Sequence, residues 1–459
     1  MAGRCLASRV HPHNPKNKVA MIQGKRLLIL GGGESGVGAA ILGKKQGWEV
    51  FLSEKTSISD HYLQVLKEND ISFEMGAHNL LRLMTADIVV KSPGIPDNVP
   101  VVKQLRESGK TIVSEIEFAS WYTQSFIIGI TGTNGKTTTT RLIYHLLKKG
   151  GLDVGLGGNI GLSFAAMVAQ EPKPMYVLEL SSFQLDGVLK FRPDIAILLN
   201  ITPDHLDRYQ YKLDAYADAK FKIAENQSEE DTFIINIDDK ETAQRYNNYF
   251  LTPRFVKISQ SMLQGDWLNI AGHLFNLQHT SLLGKHNAMN AAFAIQTAIQ
   301  MGVSPESIQE GLLSFKNDPH RLEKIAEIDE VLFVNDSKGT NVNAVYFALE
   351  AMTKPVVWLA GGLDKGNDYH DILPLIASRV KAIIAIGADN KPLRKVFKNL
   401  VPFVEISTMR EAVNEAFMLA QPGGIVLLSP ACASFDLYKN YEDRGNQFRA
   451  AVNALKLAL

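Results

Sequence analysis

Short apolar runs recur along this chain, each closed by glycine or a polar cluster, and between them lie stretches with apolar residues at helical spacing. Ile127-Ile128-Gly129-Ile130 is the sharpest of these runs. It passes into Thr131-Gly132-Thr133-Asn134-Gly135-Lys136-Thr137-Thr138, after which Leu142, Ile143, Leu146 and Leu147 follow with the period of a helix. A buried strand, a glycine loop and a helix are predicted, with the loop where a helix N-terminus presents its free N–H groups. Arg26-Leu27-Leu28-Ile29-Leu30 repeats the arrangement: Gly31-Gly32-Gly33-Glu34-Ser35-Gly36 follows, then a helix with Val37, Ala40 and Ile41 on one face. Glu49 to Leu52 is the next strand and ends at Ser53-Glu54. Ala86 to Val90 runs into Lys91-Ser92-Pro93-Gly94-Ile95-Pro96, a turn-rich rim.

Further strands are predicted at Tyr176 to Leu180, Ile195 to Ile201 and Thr232 to Ile237, then at Val331 to Asn335, Val356 to Ala360 and Ile425 to Leu428. Several, such as Ile195-Ala196-Ile197-Leu198-Leu199, are apolar on both faces, as parallel strands covered by helices are. The expected class is α/β in three domains: a Rossmann-like N-terminal domain over 21–115, a central P-loop parallel-sheet domain over 116–317, and a Rossmann-like C-terminal domain over 318–459. The first boundary is placed near Ser114 to Tyr122. Met1 to Lys18 is polar and basic with Pro12 and Pro15, so residues 1–20 are expected to be a disordered extension ahead of Met21.

A length of 459 residues suits about three domains. The 48 basic residues balance the 48 acidic ones, which argues against a general nucleic-acid or anionic-membrane partner. Cys5 and Cys432 offer no disulfide framework and suit a reducing cytoplasm. No run approaches the roughly 20 apolar residues needed to span a bilayer.

The loop at 131–138 suits a phosphate. Its glycines let the backbone close round an anion, the helix dipole favours negative charge, Lys136 reaches the outer phosphates, and the Thr137 hydroxyl suits magnesium. The strict P-loop spacing would put glycine where Ile130 stands. Two later strands deliver Glu179 and the cluster Asp204-His205-Leu206-Asp207-Arg208-Tyr209 to the same edge, a plausible set for a hard cation. The first glycine loop is less specific: NAD, a nucleotide sugar or a tight turn would each account for it. On the helix from Leu213, Lys220 falls among Tyr216, Ala217, Ile223 and Ala224, whereas Lys222 points to the other side. A buried amine loses basicity and becomes nucleophilic toward carbon dioxide, and the carbamate would be a new oxygen ligand for magnesium. Taken by itself, the pattern favours a stem snorkelling to solvent. In the third domain, Asp336-Ser337-Lys338-Gly339-Thr340-Asn341, Gly361 to Gly366 and Ser429 to Asp436 place lysines, hydroxyls and acids in loops that suit a small dianion.

From about residue 25 to the C-terminus the chain resembles the Mur ligases, ATP-dependent amide-forming enzymes of peptidoglycan synthesis. The resemblance rests on Thr131 to Thr138, Gly158-Asn159-Ile160-Gly161, Glu179-Leu180-Ser181-Ser182-Phe183-Gln184-Leu185, Asp204 to Tyr209, Gly284-Lys285-His286-Asn287 and Leu428-Ser429-Pro430-Ala431-Cys432-Ala433-Ser434. It implies UDP-N-acetylmuramoyl-L-alanine and D-glutamate as substrates, ATP with two magnesium ions, a carbamate on Lys220, a cytoplasmic location and a monomer. By the same resemblance Gly132, Thr133, Asn134, Gly135, Lys136, Thr137 and Thr138 bind ATP, joined by Asn287 at adenine and by Arg321, Asp336 and Lys338. Thr137 and Glu179 hold one ion, and His205 with Lys220 the other. Gly33, Ser35, Gly36, Ser53, Glu54, Gly94, Asn159, Ser182 and Gln184 take the uridine precursor, while Thr340, Lys365, Ser434 and Tyr441 take D-glutamate. The catalytic set implied is Lys136, Glu179, His205, Lys220 and Lys338. Departures from the family pattern are the third glycine with Glu34, Ser53-Glu54 where aspartate is commoner, and Gly339. Alternatives are another Mur ligase, a ligase like folylpolyglutamate synthase, or a P-loop ATPase acting as a binding module.

Overall fold

A computed structural model describes residues 25–246, 252–364 and 366–459. The proposed extension at 1–20 and the glutamate candidate Lys365 lie outside the described residues. The chain forms two compact units: one takes it up to Asn276 together with Asn290–Leu312, the other comprises Leu277–Met289 and Leu313–Leu459.

The first unit holds two all-parallel sheets. In spatial order the first contains Ser72–Met75, Glu49–Glu54, Arg26–Leu30, Ile88–Lys91 and Thr111–Val113. Leu30 pairs with both Ser53 and Lys91, so the glycine loop, the Ser53-Glu54 end and the 91–97 rim share one sheet edge. The second sheet contains Arg254–Ile258, Thr232–Asn236, Ile195–Leu198, Phe126–Thr131, Met175–Glu179 and Gly155–Gly158. Ile130 is level with Glu179, and Thr131 with Leu198. Carboxyl ends of parallel strands are where such folds place ligands. One core runs through this unit, from Leu27 and Ile29 through Phe118 and Phe164 to Leu178 and Phe221. Helix Glu34–Lys45 packs on helix Phe164–Gln170 so closely that a Cβ on Gly38 would lie 1.9 Å from Ser163 Oγ. The boundary stretch is itself a buried helix, Glu115–Ser120.

The strand expected over 195–201 ends at Leu198, because Asn200 leaves the ladder to bind the phosphate loop. A small antiparallel sheet, Leu263–Gln264, Trp267–Ile270 and His273–Asn276, completes the unit and was not foreseen.

The second unit is a six-stranded sheet in the order Glu323–Ile328, Val331–Asn335, Ile425–Leu428, Val356–Ala360, Val380–Ala385 and Phe403–Glu405. The first strand of the third domain was expected at Val331 to Asn335, but an antiparallel edge strand precedes it. The two are joined by Asp329 and Glu330, both at positive φ (45° and 64°), as a two-residue hairpin needs. Apolar layers cover both faces, one built on Trp358, Val345 and Ile376, the other on Phe333, Val413 and Phe448. Among the described residues no helix is long and apolar enough to cross a membrane.

Candidate active site

The phosphate loop joins strand Phe126–Thr131 to helix Lys136–Lys149 and is held from outside. Gly135 has φ 85°, and a Cβ there would sit 2.4 Å from Asn290 Oδ1, so both conformation and packing demand glycine. Asn134 N donates to Asn200 Oδ1 at 2.9 Å, and Asn200 Nδ2 returns a bond to Asn134 O at 3.0 Å. Thr133 N donates to Asn200 O, while Thr133 Oγ1 accepts from Thr202 N at 3.0 Å and lies 3.2 Å from the Tyr216 hydroxyl. Lys136 Nζ donates to Gly132 O at 2.8 Å and Thr133 O at 2.9 Å, so the amine lies along the loop it is expected to serve. Thr137 and Thr138 are buried at the start of the helix.

Lys220 is 1% exposed on helix Leu213–Phe221, which rules out the snorkelling stem. Its Nζ donates to Gly132 O at 2.8 Å and lies 4.4 Å from the centre of the Tyr216 ring. Burial, and then the charge of Lys136, hold this amine well below the ordinary lysine range. Two amines thus share one carbonyl of the loop.

Glu179 stands at the end of its strand, 2% exposed. Its Oε1 accepts from Asn159 Nδ2 at 2.8 Å; its Oε2 is buried with no partner among the described residues. An unsatisfied buried carboxylate oxygen is costly and suits an oxygen-seeking cation. Among the described residues no group of three or more His, Cys, Asp and Glu side chains is placed to hold a metal. A magnesium ion here would instead draw on Thr137, Glu179 and phosphate oxygens, a donor set that fits it. His205 opens the turn Leu206–Tyr209 at φ 52°, half exposed, its ring 5.3 Å from Phe183. Ser182 and Gln184 lie in the short helix Ser182–Leu185, where Gln184 and Ser181 cap one another.

At the first glycine loop, Gly32 N donates to Glu54 Oε2 at 2.8 Å. Burial opposes it, but hydrogen bonds from Thr56 and Gly32 hold the Glu54 carboxyl below its ordinary value. Ser53 Oγ donates to Glu74 Oε1 at 2.6 Å and contacts His78 Nδ1 at 2.7 Å. Glu34 turns to the central sheet's side, accepting from Ser163 N at 2.8 Å and the Tyr62 hydroxyl at 3.0 Å. A Cβ on Gly36 would strike Gly31 O at 2.0 Å, whereas Gly33 and Gly94 have open space beside them. Ser35 is half-buried at the start of the helix.

In the second unit the loops after three strands converge on Arg444, which sequence reasoning missed. Arg444 is 2% exposed and donates from Nη2 to Ser337 O at 2.9 Å, from Nε to Ser337 Oγ at 3.1 Å and from Nη1 to Cys432 O at 3.1 Å. Burial lowers its basicity to about 10. Burial likewise raises the Asp336 carboxyl to about 7, against the bond of 2.8 Å that Ser429 Oγ donates to it. Lys338 Nζ lies 3.6 Å from the centre of the Tyr441 ring, and Thr340 N donates to Lys338 O. Ser434 is buried, while Arg321 and Tyr441 are half-buried. Asn287 is buried in the same unit, its Nδ2 donating to Leu283 O at 2.9 Å.

Asn200, Asn290 and Tyr216 were also missed. Asn200 sits in the run the sequence reads as strand, and the pairing that gives it a role spans 66 residues.

Three stretches match family models: residues 26–101 the MurD N-terminal domain, 130–298 the Mur ligase middle domain, and 320–432 the Mur ligase, glutamate ligase domain. A UDP-N-acetylmuramoylalanine--D-glutamate ligase of Christiangramia forsetii is 51% identical over 444 residues, 94% of this chain and 100% of that protein. A protein of the same name from Bacteroides fragilis is 45% identical over 443 residues, with 94% and 100% covered. Among solved structures, a UDP-N-acetylmuramate-alanine ligase of Thermotoga maritima superposes with a TM-score of 0.58 at 17% identity, covering 94% of this chain and 99% of that one, a likeness of fold.

Proposed function

The chain belongs to the Mur ligase family and is a ligase, and from that membership we propose that it joins D-glutamate to UDP-N-acetylmuramoyl-L-alanine, using ATP, in peptidoglycan precursor synthesis. The observation that carries the reading is the pairing of the phosphate loop with Glu179: the two strand ends are level, and Glu179 keeps a buried oxygen without a partner among the described residues.

A carboxylate resists attack by an amine, so the terminal alanine carboxylate of the precursor first attacks the γ-phosphorus of ATP. The bond to the β-phosphate oxygen breaks, ADP leaves and an acyl phosphate forms. The N–H groups at the start of helix Lys136–Lys149 and the Lys136 ammonium hold the phosphate oxygens while charge moves among them, since the N–H groups of Thr133 and Asn134 are given to Asn200. Thr137 and Glu179, and at a second position His205 and a carbamate on Lys220, would hold magnesium, which would supply charge neutralisation there. The Lys220 carbamate forms when the neutral amine bonds the carbon of carbon dioxide and releases a proton; the depressed basicity of this amine supports that step. The deprotonated amine of D-glutamate then attacks the acyl carbon, and phosphate leaves.

Gly33, Ser35, Gly36, Ser53, Glu54 and Gly94 take the uridine end of the precursor, with Asn159, Ser182 and Gln184 nearer its carboxylate. Asn287, Arg321, Asp336 and Lys338 serve ATP, and Thr340, Lys365, Ser434 and Tyr441 serve D-glutamate. The enzyme works as a monomer in the cytoplasm, where ATP is supplied. A coupled assay of ADP release tests the reading with each muramoyl precursor against a panel of amino acids. ADP should be released turnover after turnover only with UDP-N-acetylmuramoyl-L-alanine and D-glutamate together; sustained release without an amino acid would mean a nucleotide switch instead.

A further inference from the structure

The turn that carries His205 is tied to the rim of the first sheet by one side chain. Arg208 N donates to His205 O at 3.0 Å, closing the turn on which His205 stands. The Arg208 guanidinium lies 4.4 Å from the centre of the Phe183 ring, the same ring that His205 meets edge-on at 5.3 Å. From there Arg208 Nη2 reaches Pro93 O, at 3.4 Å, and its charge helps to lower the basicity of Lys91, which burial depresses first. Lys91 is anchored in turn: its Nζ donates to Ile95 O at 2.7 Å and lies 3.4 Å from Asp97, which Arg106 also holds at 3.0 Å. Pro93 follows Ser92, whose N–H donates to Leu30 O and whose hydroxyl a Cβ on Gly31 would meet at 2.4 Å. The line of contact therefore runs from the first glycine loop, through Ser92 and Pro93, to Arg208 and the His205 turn, all within one compact unit.

We propose that Arg208 is a positioning residue that couples occupation of the uridine-nucleotide rim to the placement of His205. The proposal rests on the ligase reading above. Three residues of the segment, His205, Gln210 and Tyr211, hold positive φ of 52° to 58°, a conformation that non-glycine residues seldom adopt unless their surroundings impose it. Tyr209 secures the far end, donating to Asp186 Oδ2 at 2.8 Å, while Arg208 joins the turn directly to a backbone carbonyl of the rim. A guanidinium suits the task because it faces an aromatic ring and donates to a carbonyl at once.

Hydrogen exchange of the His205–Tyr211 amides, measured on the full chain with and without UDP and without metal, tests this directly. In the wild type UDP should slow these amides about fivefold, and in Arg208→Ala it should leave them unchanged while binding within about threefold of wild type. With all substrates, Arg208→Ala should lose about tenfold to a hundredfold in kcat with the precursor KM altered less than about threefold, and Arg208→Lys should recover part of the loss. Persistence of the slowing in Arg208→Ala would overturn the proposal. So would a loss of UDP affinity with kcat unchanged, which marks a direct ligand contact, or a fall in melting temperature that alone accounts for lost activity. If wild-type protein fails to release ADP from the precursor and D-glutamate, the ligase reading fails, whatever the exchange arm shows.

Discussion

The chain builds two strand, glycine-loop and helix corners of similar outline, after Arg26–Leu30 and after Phe126–Thr131, and gives them opposite charge. At the first, an N–H of the loop is already taken by the Glu54 carboxylate, and Glu34 is turned away onto Ser163 and Tyr62. At the second, the amines of Lys136 and Lys220 both rest on Gly132 O, and the loop is clamped by the neutral amide of Asn200. Glycine fixes the backbone path in both corners. The charge beside that path decides which corner can gather phosphates about a reaction.

If that division holds, Lys136→Ala should have the largest effect, a loss of about a thousandfold or more in ADP formation with precursor and magnesium present. Wild-type turnover would erase the distinction between the corners. Lys220→Ala should cost about a hundredfold and be partly rescued by short carboxylic acids that replace the carbamate. An uncarbamylated Lys220 in a high-resolution structure of the active enzyme would remove that role. Asn200→Ala loses both side-chain bonds to Asn134 and should raise the KM for ATP about tenfold, with a smaller change in kcat. An unchanged KM would mean the loop keeps its shape without the clamp.

The smallest effect belongs to the acidic side of the first corner and is one of stability. Burial raises the Glu115 carboxyl from 4.5 to about 8; the bond from Ala165 N opposes this and the charge of Glu34 adds to it. The folded protein keeps a proton there that the unfolded chain releases near 4.5, so this group's contribution to stability falls as pH rises from about 4.5 to 8. Glu115→Gln should flatten that fall and melt several degrees above wild type at pH 8 relative to pH 5. Equal pH slopes in the two proteins would show that Glu115 is ionised in the fold.

Both corners were legible in the sequence because everything that makes them is local: an apolar run, glycines and a helical period within about twenty residues. Lys220 announced itself as a charge in an apolar stripe, although its partner, Gly132, is 88 residues away. Asn200, Asn290 and Arg444 gave no such sign. A buried asparagine or arginine takes its meaning from the backbone it bonds, and those backbones lie far off in sequence: Arg444 holds Ser337 from 107 residues away. Edge strands escaped for another reason. Glu323–Ile328 is only partly buried and carries charged residues at three of its six positions, so it lacks the apolar run by which central strands are recognised.

The helix at the first domain boundary has a mechanical consequence. Within Glu115–Ser120, Glu117 is fully buried, its Oε2 accepting from Leu189, Lys190 and Phe191 N at 2.9, 2.9 and 2.7 Å while its Oε1 takes Trp121 Nε1 at 2.7 Å. Ser114 N adds a bond to Gly187 O, and a Cβ on that glycine would lie 2.6 Å from Ser114 N. Bending the chain here would strip a buried carboxylate of four donors at once. The segment is a weld rather than a hinge: the chain cannot swivel between the two sheets of the first unit without breaking this buried set of bonds.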